Sequence, residues 1–385
     1  MLLDPTVTNL NTGSFGPLPR SVFECATELR RRLAHEPMDF LLRQLPPLLS
    51  TARTRLADFL GGDARRLIFT ANVSAAINLI ANGLTLSAPG EILLTDHEYG
   101  AMHWCWERAA QRQGLTLRTF RLPILAEDPS EIVEALRSAL TERTRLVFFS
   151  HVLSPTGLVL PAKEMCREAR KRGAVTIVDG AHGPAMVSLD LADIGADFYC
   201  GNCHKWLLAP TGSGFLHVGP GQEDRLQPLQ VSWGFRPDRA TMDVPDEFGS
   251  TPRLRFYEFE GTRDVCPWLA VPAAIDFQKD IGFEAIRQRN EMLVEFTRAR
   301  LGCIPGLTLA TPRDPRLHGF MTAFLMPHTV DAPTWRKRLW EEFRIEAPIV
   351  ERPEGMLLRV STHFYNTEEE VERLADAVRK MFSLG

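Results

Sequence analysis

The sequence predicts an α/β protein built on a mainly parallel sheet and followed by a smaller α+β unit. Three observations carry that expectation. Apolar runs rich in Val, Ile, Leu and Phe alternate with segments of helical spacing between residues 67 and 180. The runs are continuous and do not alternate with polar residues, as expected of strands covered on both faces. At 385 residues the chain also exceeds one ordinary core, so a large domain with a smaller companion is expected.

In chain order, residues 43–60 place Leu45, Leu48, Leu49, Ala52, Leu56, Phe59 and Leu60 at helical spacing and stop at Gly61-Gly62. Strands are predicted at 67–70, 91–96, 117–122, 145–150 and 174–179, with helices at 74–84, 100–112, 129–140 and 161–172. Shorter strands follow at 196–200 and 215–218. From about 219 to 263 the pattern loosens into an irregular stretch rich in Arg, Pro and Gly, and such long stretches in compact proteins are more often functional than idle. A helix from about 267 leads out of the large domain. The tail has strands at 319–326 and 356–361 and helices at 332–343 and 368–382, the last opened by the capping box Thr367 and Glu370. These boundaries divide the chain into an N-terminal segment (1–20) at the active site, a large domain (21–275) and a small C-terminal domain (276–385).

With 44 basic and 48 acidic residues, the net charge is 44 − 48 = −4, which gives no general attraction to nucleic acid or an anionic membrane. No run of about 18 apolar residues is present. Met1-Leu-Leu-Asp4-Pro5 lacks the basic and apolar regions of a signal peptide, so a cytoplasmic location is expected. The seven cysteines are scattered, as reduced and mostly buried thiols would be. Cys200-x-x-Cys203 has no second pair to complete a zinc or redox motif, so no metal is expected.

The chemistry is concentrated at strand ends, where an open α/β sheet holds its ligand. The strand through Val178 delivers Asp179 in Asp179-Gly-Ala-His182, and the next one leads into Gly201-Asn-Cys-His204-Lys205-Trp206. A lysine that can form a Schiff base and an aspartate that can keep a pyridine nitrogen protonated are what pyridoxal phosphate requires. Asp179 would equally suit a helix N-cap. The turn Thr70-Ala-Asn72-Val73-Ser74 joins a strand to a helix N-terminus, where free amides and the helix dipole favour a phosphate, although it lacks a glycine cradle. Arg359 interrupts the apolar run Leu357-Leu-Arg-Val-Ser361. A guanidinium is costly to bury unpaired and fits a carboxylate bidentately, which marks Arg359 for a substrate α-carboxylate.

Taken in order, Leu10-Asn-Thr-Gly-Ser-Phe-Gly16, Asp96-His-Glu-Tyr-Gly-Ala101, Ser150-His-Val-Leu-Ser-Pro-Thr-Gly157, the Asp179 and Lys205 motifs, Gly261-Thr-Arg-Asp264 and Arg359-Val-Ser361 run through nearly the whole length. They resemble the class V aminotransferase family, pyridoxal phosphate-dependent enzymes of fold type I related to cysteine desulfurases, in its isopenicillin N epimerase-like branch. The resemblance implies a seven-stranded large-domain sheet and a homodimer with shared active sites. By the same resemblance Lys205 is the Schiff-base lysine and Asp179 the ring-nitrogen partner. Val73, Ser74, Asn202 and His204 lie at the phosphate, and Thr262 reaches the phosphate of the neighbouring subunit. Tyr99 stacks on the ring, Ser154 and His182 lie near its hydroxyl, and Asn11 and Ser14 line the substrate side with Arg359. The arginines at 236, 239, 253, 255 and 263 could receive a second acidic group or face solvent.

A lysine and a cofactor leave the reaction open. The related cysteine desulfurases need a nucleophilic cysteine shortly before the carboxylate-binding arginine, and 344–350 contains none, nor does any cysteine follow Cys303. Two expectations remain. One is an epimerase-like enzyme acting at Cα of an amino acid or amino-acid-derived metabolite. The other is a carbon–sulfur β-lyase or another class V lyase or aminotransferase, and pyruvate formation separates the two. A non-catalytic relative would have lost Lys205 or Asp179, and a Rossmann dehydrogenase would show G-x-G-x-x-G after an early strand.

Overall fold

The computed structural model describes residues 1–235, 238 and 240–383. A two-residue strand, β1 (Thr8–Asn9), precedes helices Arg20–His35 and Leu45–Leu60. Then come the strands of the main sheet: β2 (Leu67–Thr70), β3 (Glu91–Thr95), β4 (Thr116–Phe120), β5 (Thr144–Ser150), β6 (Val175–Gly180), β7 (Phe198–Asn202) and β8 (Gly214–Val218). Their order across the sheet is β2-β8-β7-β6-β5-β3-β4. β3 to β7 run parallel, and β8 is antiparallel to both its neighbours. This is the predicted seven-stranded, mainly parallel sheet.

Every residue of β2, β3, β6, β7 and β8 is buried, which is why these strands read as unbroken apolar runs. Adjacent side chains enter different cores. Phe149 packs with Val22 and Leu56 on one face, and Phe148 packs with Ile77 and Trp106 on the other. At roughly 25 cal/mol per Å² of apolar surface removed from water, those two layers are the main favourable term in folding.

Beyond the long helix Phe283–Gly302 lie β9 (Thr308–Leu309), β10 (Met321–Leu325), β11 (Ile345–Glu346), β12 (Ile349–Arg352) and β13 (Gly355–Ser361). Four of these form an antiparallel sheet in the order β12-β13-β10-β9. The fifth, β11, pairs in parallel with β1 and so brings the first residues of the sequence onto this second unit. The last helix, Glu368–Ser383, begins with the predicted capping box: Thr367 Oγ1 accepts the Glu370 amide at 3.3 Å, and a Glu370 carboxylate oxygen accepts the Thr367 amide at 3.0 Å.

Several helices depart from the sequence reading, among them Phe283–Gly302, Arg20–His35 and Pro252–Glu258. Arg20–His35 escapes it because the run Glu28-Leu-Arg-Arg-Arg32 obscures a narrow buried stripe of Val22, Ala26 and Leu29. Inside the stretch read as irregular, Pro252–Glu258 is helical, capped by Thr251 with Pro252 in its first turn, and it buries Leu254 and Phe256.

That short helix also supplies a buried ion pair. Arg53 and Glu258 have side-chain exposures of 3% and 4%. Glu258 accepts from Arg53 Nη2 at 2.9 Å and from the Phe69 amide at 2.7 Å, while Arg53 Nη1 donates to the Leu67 carbonyl at 2.8 Å. The pair pins helices Leu45–Leu60 and Pro252–Glu258 to β2. Arg53→Ala would leave the carboxylate buried without its cation and should destabilise the protein by about 3–5 kcal/mol. A urea denaturation midpoint matching wild type would show that the pair carries no stability.

Candidate active site

The carboxyl ends of β3, β5, β6 and β7 open into a cavity of about 280 Å³. Asp179 lies at its floor, at the end of β6, paired in register with Ser150 of β5 and Cys200 of β7. Its carboxylate accepts the Ala181 amide at 2.9 Å. Burial pushes the Asp179 pKa upward, against the opposing pull of that amide and of Lys205.

Lys205 follows β7, and Tyr99 follows β3, so the two reach the cavity from strands on opposite flanks of β6. Burial lowers the Lys205 pKa to about 8, with Arg359 acting in the same direction and Asp179 against it. Its Nζ is 3.2 Å from Nε2 of His182, whose Nδ1 accepts the indole N–H of Trp206 at 3.2 Å. His182 is only 2% exposed, and burial, then the charges of Lys205 and Arg359, hold its pKa well below the ordinary range. Tyr99 is 55% exposed and forms part of the cavity wall.

Arg359, on β13, is buried. It donates from Nη1 to the Ser154 carbonyl at 2.8 Å and hydroxyl at 3.0 Å, and from Nη2 to Asn11 Oδ1 at 2.9 Å and Ser14 Oγ at 3.0 Å. All four acceptors are neutral, and the buried Nε has no partner among the described residues. Burial lowers its pKa to about 10. Ser154, read from the sequence as a neighbour of the ring hydroxyl, is thus tied to Arg359. Asn11, expected from the resemblance on the substrate side, bonds Arg359 and does not itself line the cavity, whereas Ser14 does.

The other end of the cavity is the first turn of helix Val73–Gly83. Asn202 Oδ1 accepts the Val73 amide at 2.9 Å, Asn72 Oδ1 accepts that of Ala75 at 2.8 Å, and the Ala76 amide bonds the Asn72 carbonyl. Among the described residues, Ser74 is left as the first-turn amide with no protein acceptor. Gly214 lets β8 pass this turn, since a Cβ there would sit 2.8 Å from Asn72 Cα. His204 Nδ1 donates to the Ser213 carbonyl at 3.0 Å. The N-terminal segment crosses the lysine turn at Gly16, whose amide bonds the His204 carbonyl at 2.9 Å. A Cβ at Gly16 would lie 2.0 Å from the Lys205 carbonyl oxygen.

Thr262 is exposed and does not line this cavity within the single chain. Of the arginine cluster, Arg253 pairs with Asp243 and Asp224, Arg255 with Asp246, and Arg263 with Glu260. Arg236 and Arg239 lie outside the described residues.

Sequence reasoning missed Glu98. Its buried carboxyl accepts from Ser150 Oγ at 2.6 Å, the Ser150 amide at 3.0 Å and Thr95 Oγ1 at 2.6 Å, beside the strand position paired with Asp179. The available signal was an acid immediately before Tyr99 at the end of a fully buried strand. Burial raises its pKa to about 7, against its hydrogen bonds and with a further push from Asp179.

The donor set suits pyridoxal phosphate. It offers a free helix-terminal amide for an anionic group, a buried carboxylate for a ring nitrogen, and a lysine poised near neutrality for an aldehyde. A sequence profile described as Aminotransferase class-V matches residues 31–374. Proteins named isopenicillin N epimerase from Streptomyces clavuligerus and Amycolatopsis lactamdurans are 58% and 57% identical, each alignment covering 98% of this chain and 96% of the relative. A solved structure of the cystine C–S lyase C-DES with its product cysteine persulfide superposes with a TM-score of 0.84 at 24% identity, covering 97% of this chain and 98% of that one. At that identity the likeness is one of fold.

Because the folded state keeps the Glu98 proton to about pH 7, while an unfolded carboxyl releases it near 4.5, ionisation penalises folding as pH rises across that interval. The full penalty is about 3 kcal/mol. Glu98→Gln should therefore gain stability on wild type by about that amount between pH 4.5 and pH 8. Parallel stability profiles for the two proteins would contradict it.

Proposed function

The chain belongs to the class-V aminotransferase family, and on that premise we propose that it binds pyridoxal phosphate in the Asp179–Lys205 cavity and epimerises isopenicillin N or a closely similar amino acid at its α-carbon. The observation that carries this reading is identity above one half, over nearly all of both chains, with two proteins named for that reaction. When bound, the cofactor supplies an aldehyde for covalent attachment and a ring that accepts electrons released at Cα.

The chain's own residues do the rest. The Ser74 amide, the helix dipole behind it, Val73, Asn202 and His204 hold the phosphate. Asp179 holds a proton at the ring nitrogen, and its burial strengthens that contact. Tyr99 would cover one face of the ring, while His182 and Ser154, whose oxygens also accept from Arg359, would bound the side that carries its hydroxyl. Arg359, fixed by Ser14, Asn11 and Ser154, receives the α-carboxylate in a two-pronged contact and so orients the α-hydrogen. Lys205, whose pKa burial lowers toward the working pH, would take that proton on its own face, since a base works best when its pKa lies near that pH. None of the seven cysteines lines the cavity, so the chain offers no sulfur nucleophile for persulfide formation.

The reading takes residues 21–275 as the cofactor-binding domain, 276–385 as the small domain and 1–20 as the segment that closes the site. It also takes the enzyme to be a cytoplasmic homodimer in which Thr262 reaches the neighbour's phosphate. Support for the dimer comes from the exposure of Thr262 and of Leu229, Val231 and Trp233.

Lys205→Ala should lose both the absorption band of covalently held cofactor and turnover, and retained turnover would take the lysine out of its role. Arg359→Ala should raise KM for the amino acid roughly tenfold to a hundredfold, the loss expected for hydrogen bonds to a charged group, with a smaller effect on cofactor binding. An unchanged KM would move the carboxylate contact elsewhere. Incubation with isopenicillin N should give the epimer without pyruvate. Pyruvate from a sulfur-bearing amino acid, with no epimer, would replace the epimerase reading by that of a β-lyase.

A further inference from the structure

We propose that Trp206 is a positioning residue whose indole N–H fixes His182 as the Nε2–H tautomer, so that His182 donates a hydrogen bond to Lys205 and holds the lysine as a free amine. The inference deepens the functional reading above, but its argument uses only the chain's own atoms.

Trp206 is fully buried and has no freedom to turn away. Its ring lies 5.7 Å from that of His363 and edge-on to Phe320 at 6.1 Å, and its carbonyl accepts from Gln278 Nε2 at 2.8 Å and His363 Nε2 at 3.0 Å. The turn that carries both Trp206 and Lys205 closes through the Leu208 amide on the Lys205 carbonyl at 3.2 Å, with Leu208 at φ 62°. A non-glycine residue persists in that left-handed region only where its surroundings demand it.

An indole nitrogen can donate but cannot accept. At 3.2 Å from Trp206 Nε1, His182 Nδ1 must therefore present its lone pair. A neutral imidazole with a bare Nδ1 carries its proton on Nε2. That nitrogen faces Lys205 Nζ at 3.2 Å. An ammonium there would set two donors against each other, whereas a free amine offers the lone pair that the contact needs. The tautomer follows from the donor inventory and the heavy-atom distances.

The other groups around Lys205 bear on its charge. Arg359, across the cavity from β13, acts in the same sense as His182. Asp179, on β6, acts in the opposite sense. His204 is committed through Nδ1–H to the Ser213 carbonyl, and burial lowers its pKa. Tyr99 enters the cavity from the end of β3, beyond β5 from β6. Asp179 alone favours the ammonium, and the Trp206–His182 relay offsets it through a direct hydrogen bond.

The test uses cofactor-free protein and two readouts. In the ¹⁵N NMR spectrum of the imidazoles, wild-type His182 should show the Nε2–H tautomer, and Trp206→Phe, which keeps an aromatic ring against His363 and Phe320, should shift it toward Nδ1–H. Acetylation of Lys205 by acetic anhydride, followed by mass spectrometry across pH, should have its midpoint near 8 in wild type. It should lie about one unit higher in Trp206→Phe, making acetylation roughly tenfold slower at pH 7. A wild-type His182 that carries the Nδ1 proton, or that is doubly protonated at neutral pH, overturns the proposal and requires no variant to fold. So does a folded Trp206→Phe protein with an unmoved tautomer and midpoint. Neither measurement involves cofactor or substrate, so failure of the epimerase reading would leave both results standing.

Discussion

Arg359 belongs to the second sheet, yet its hydrogen bonds end on Asn11, Ser14 and Ser154, so a single guanidinium holds together three stretches of chain far apart in sequence. All of those acceptors are neutral. A buried cation with dipoles for company and, among the described residues, no counterion is held at a cost, and an incoming carboxylate would relieve it. The same uncompensated charge reaches further, since it is among the causes that depress both Lys205 and His182. In the proposed reaction, pairing a carboxylate with Arg359 cancels that field at the lysine. Lys205 would then become a stronger base at the moment its substrate is in place.

The cavity's size separates chemistry from selectivity. A cavity of about 280 Å³ is shared between the cofactor and the reacting end of an amino acid in the proposed reaction. In the proposed reaction the remainder of a large substrate would lie at the mouth, where Phe15 and Tyr99 are exposed. Motifs at strand ends therefore announce the reacting end, whereas side-chain preference resides in surface segments, where sequence and shape vary most.

The same division governs how much of the molecule could be read from its residues. Strands buried on both faces show as apolar runs, and their carboxyl ends are where ligands sit, which made Asp179, Lys205 and the 70–74 turn legible, whereas Asn202 was marked by the family resemblance alone. Arg359 was legible as a charge inside an apolar strand. What escaped depends on pairing through space. Glu98 acquires its meaning from Ser150, 52 residues away, and Trp206 from His182, 24 residues away, and no periodicity encodes either contact. The Arg20–His35 helix escaped because its buried stripe is narrow, and Pro252–Glu258 because it is seven residues long and rich in arginine. The described arginines of the 253–263 cluster look free in the sequence, yet each finds an aspartate or glutamate close by.

The crossing at Gly16 has a consequence for the order of assembly. Residues 8–16 contact residue 204, residues 344–346 and Ser361, while Asn11 and Thr12 bond Arg359 and Tyr365. These pairings span most of the chain, and contacts of such sequence separation form slowly because the intervening loop must close first. A segment made early thus waits for one made late, although the main sheet between them can already fold. During synthesis the lysine turn stands open until β11 exists to receive β1 and β13 to supply Arg359. The finished pocket is then a record of chain completion: a protein cut short before residue 359 could present Asp179 and Lys205 but could not close over them.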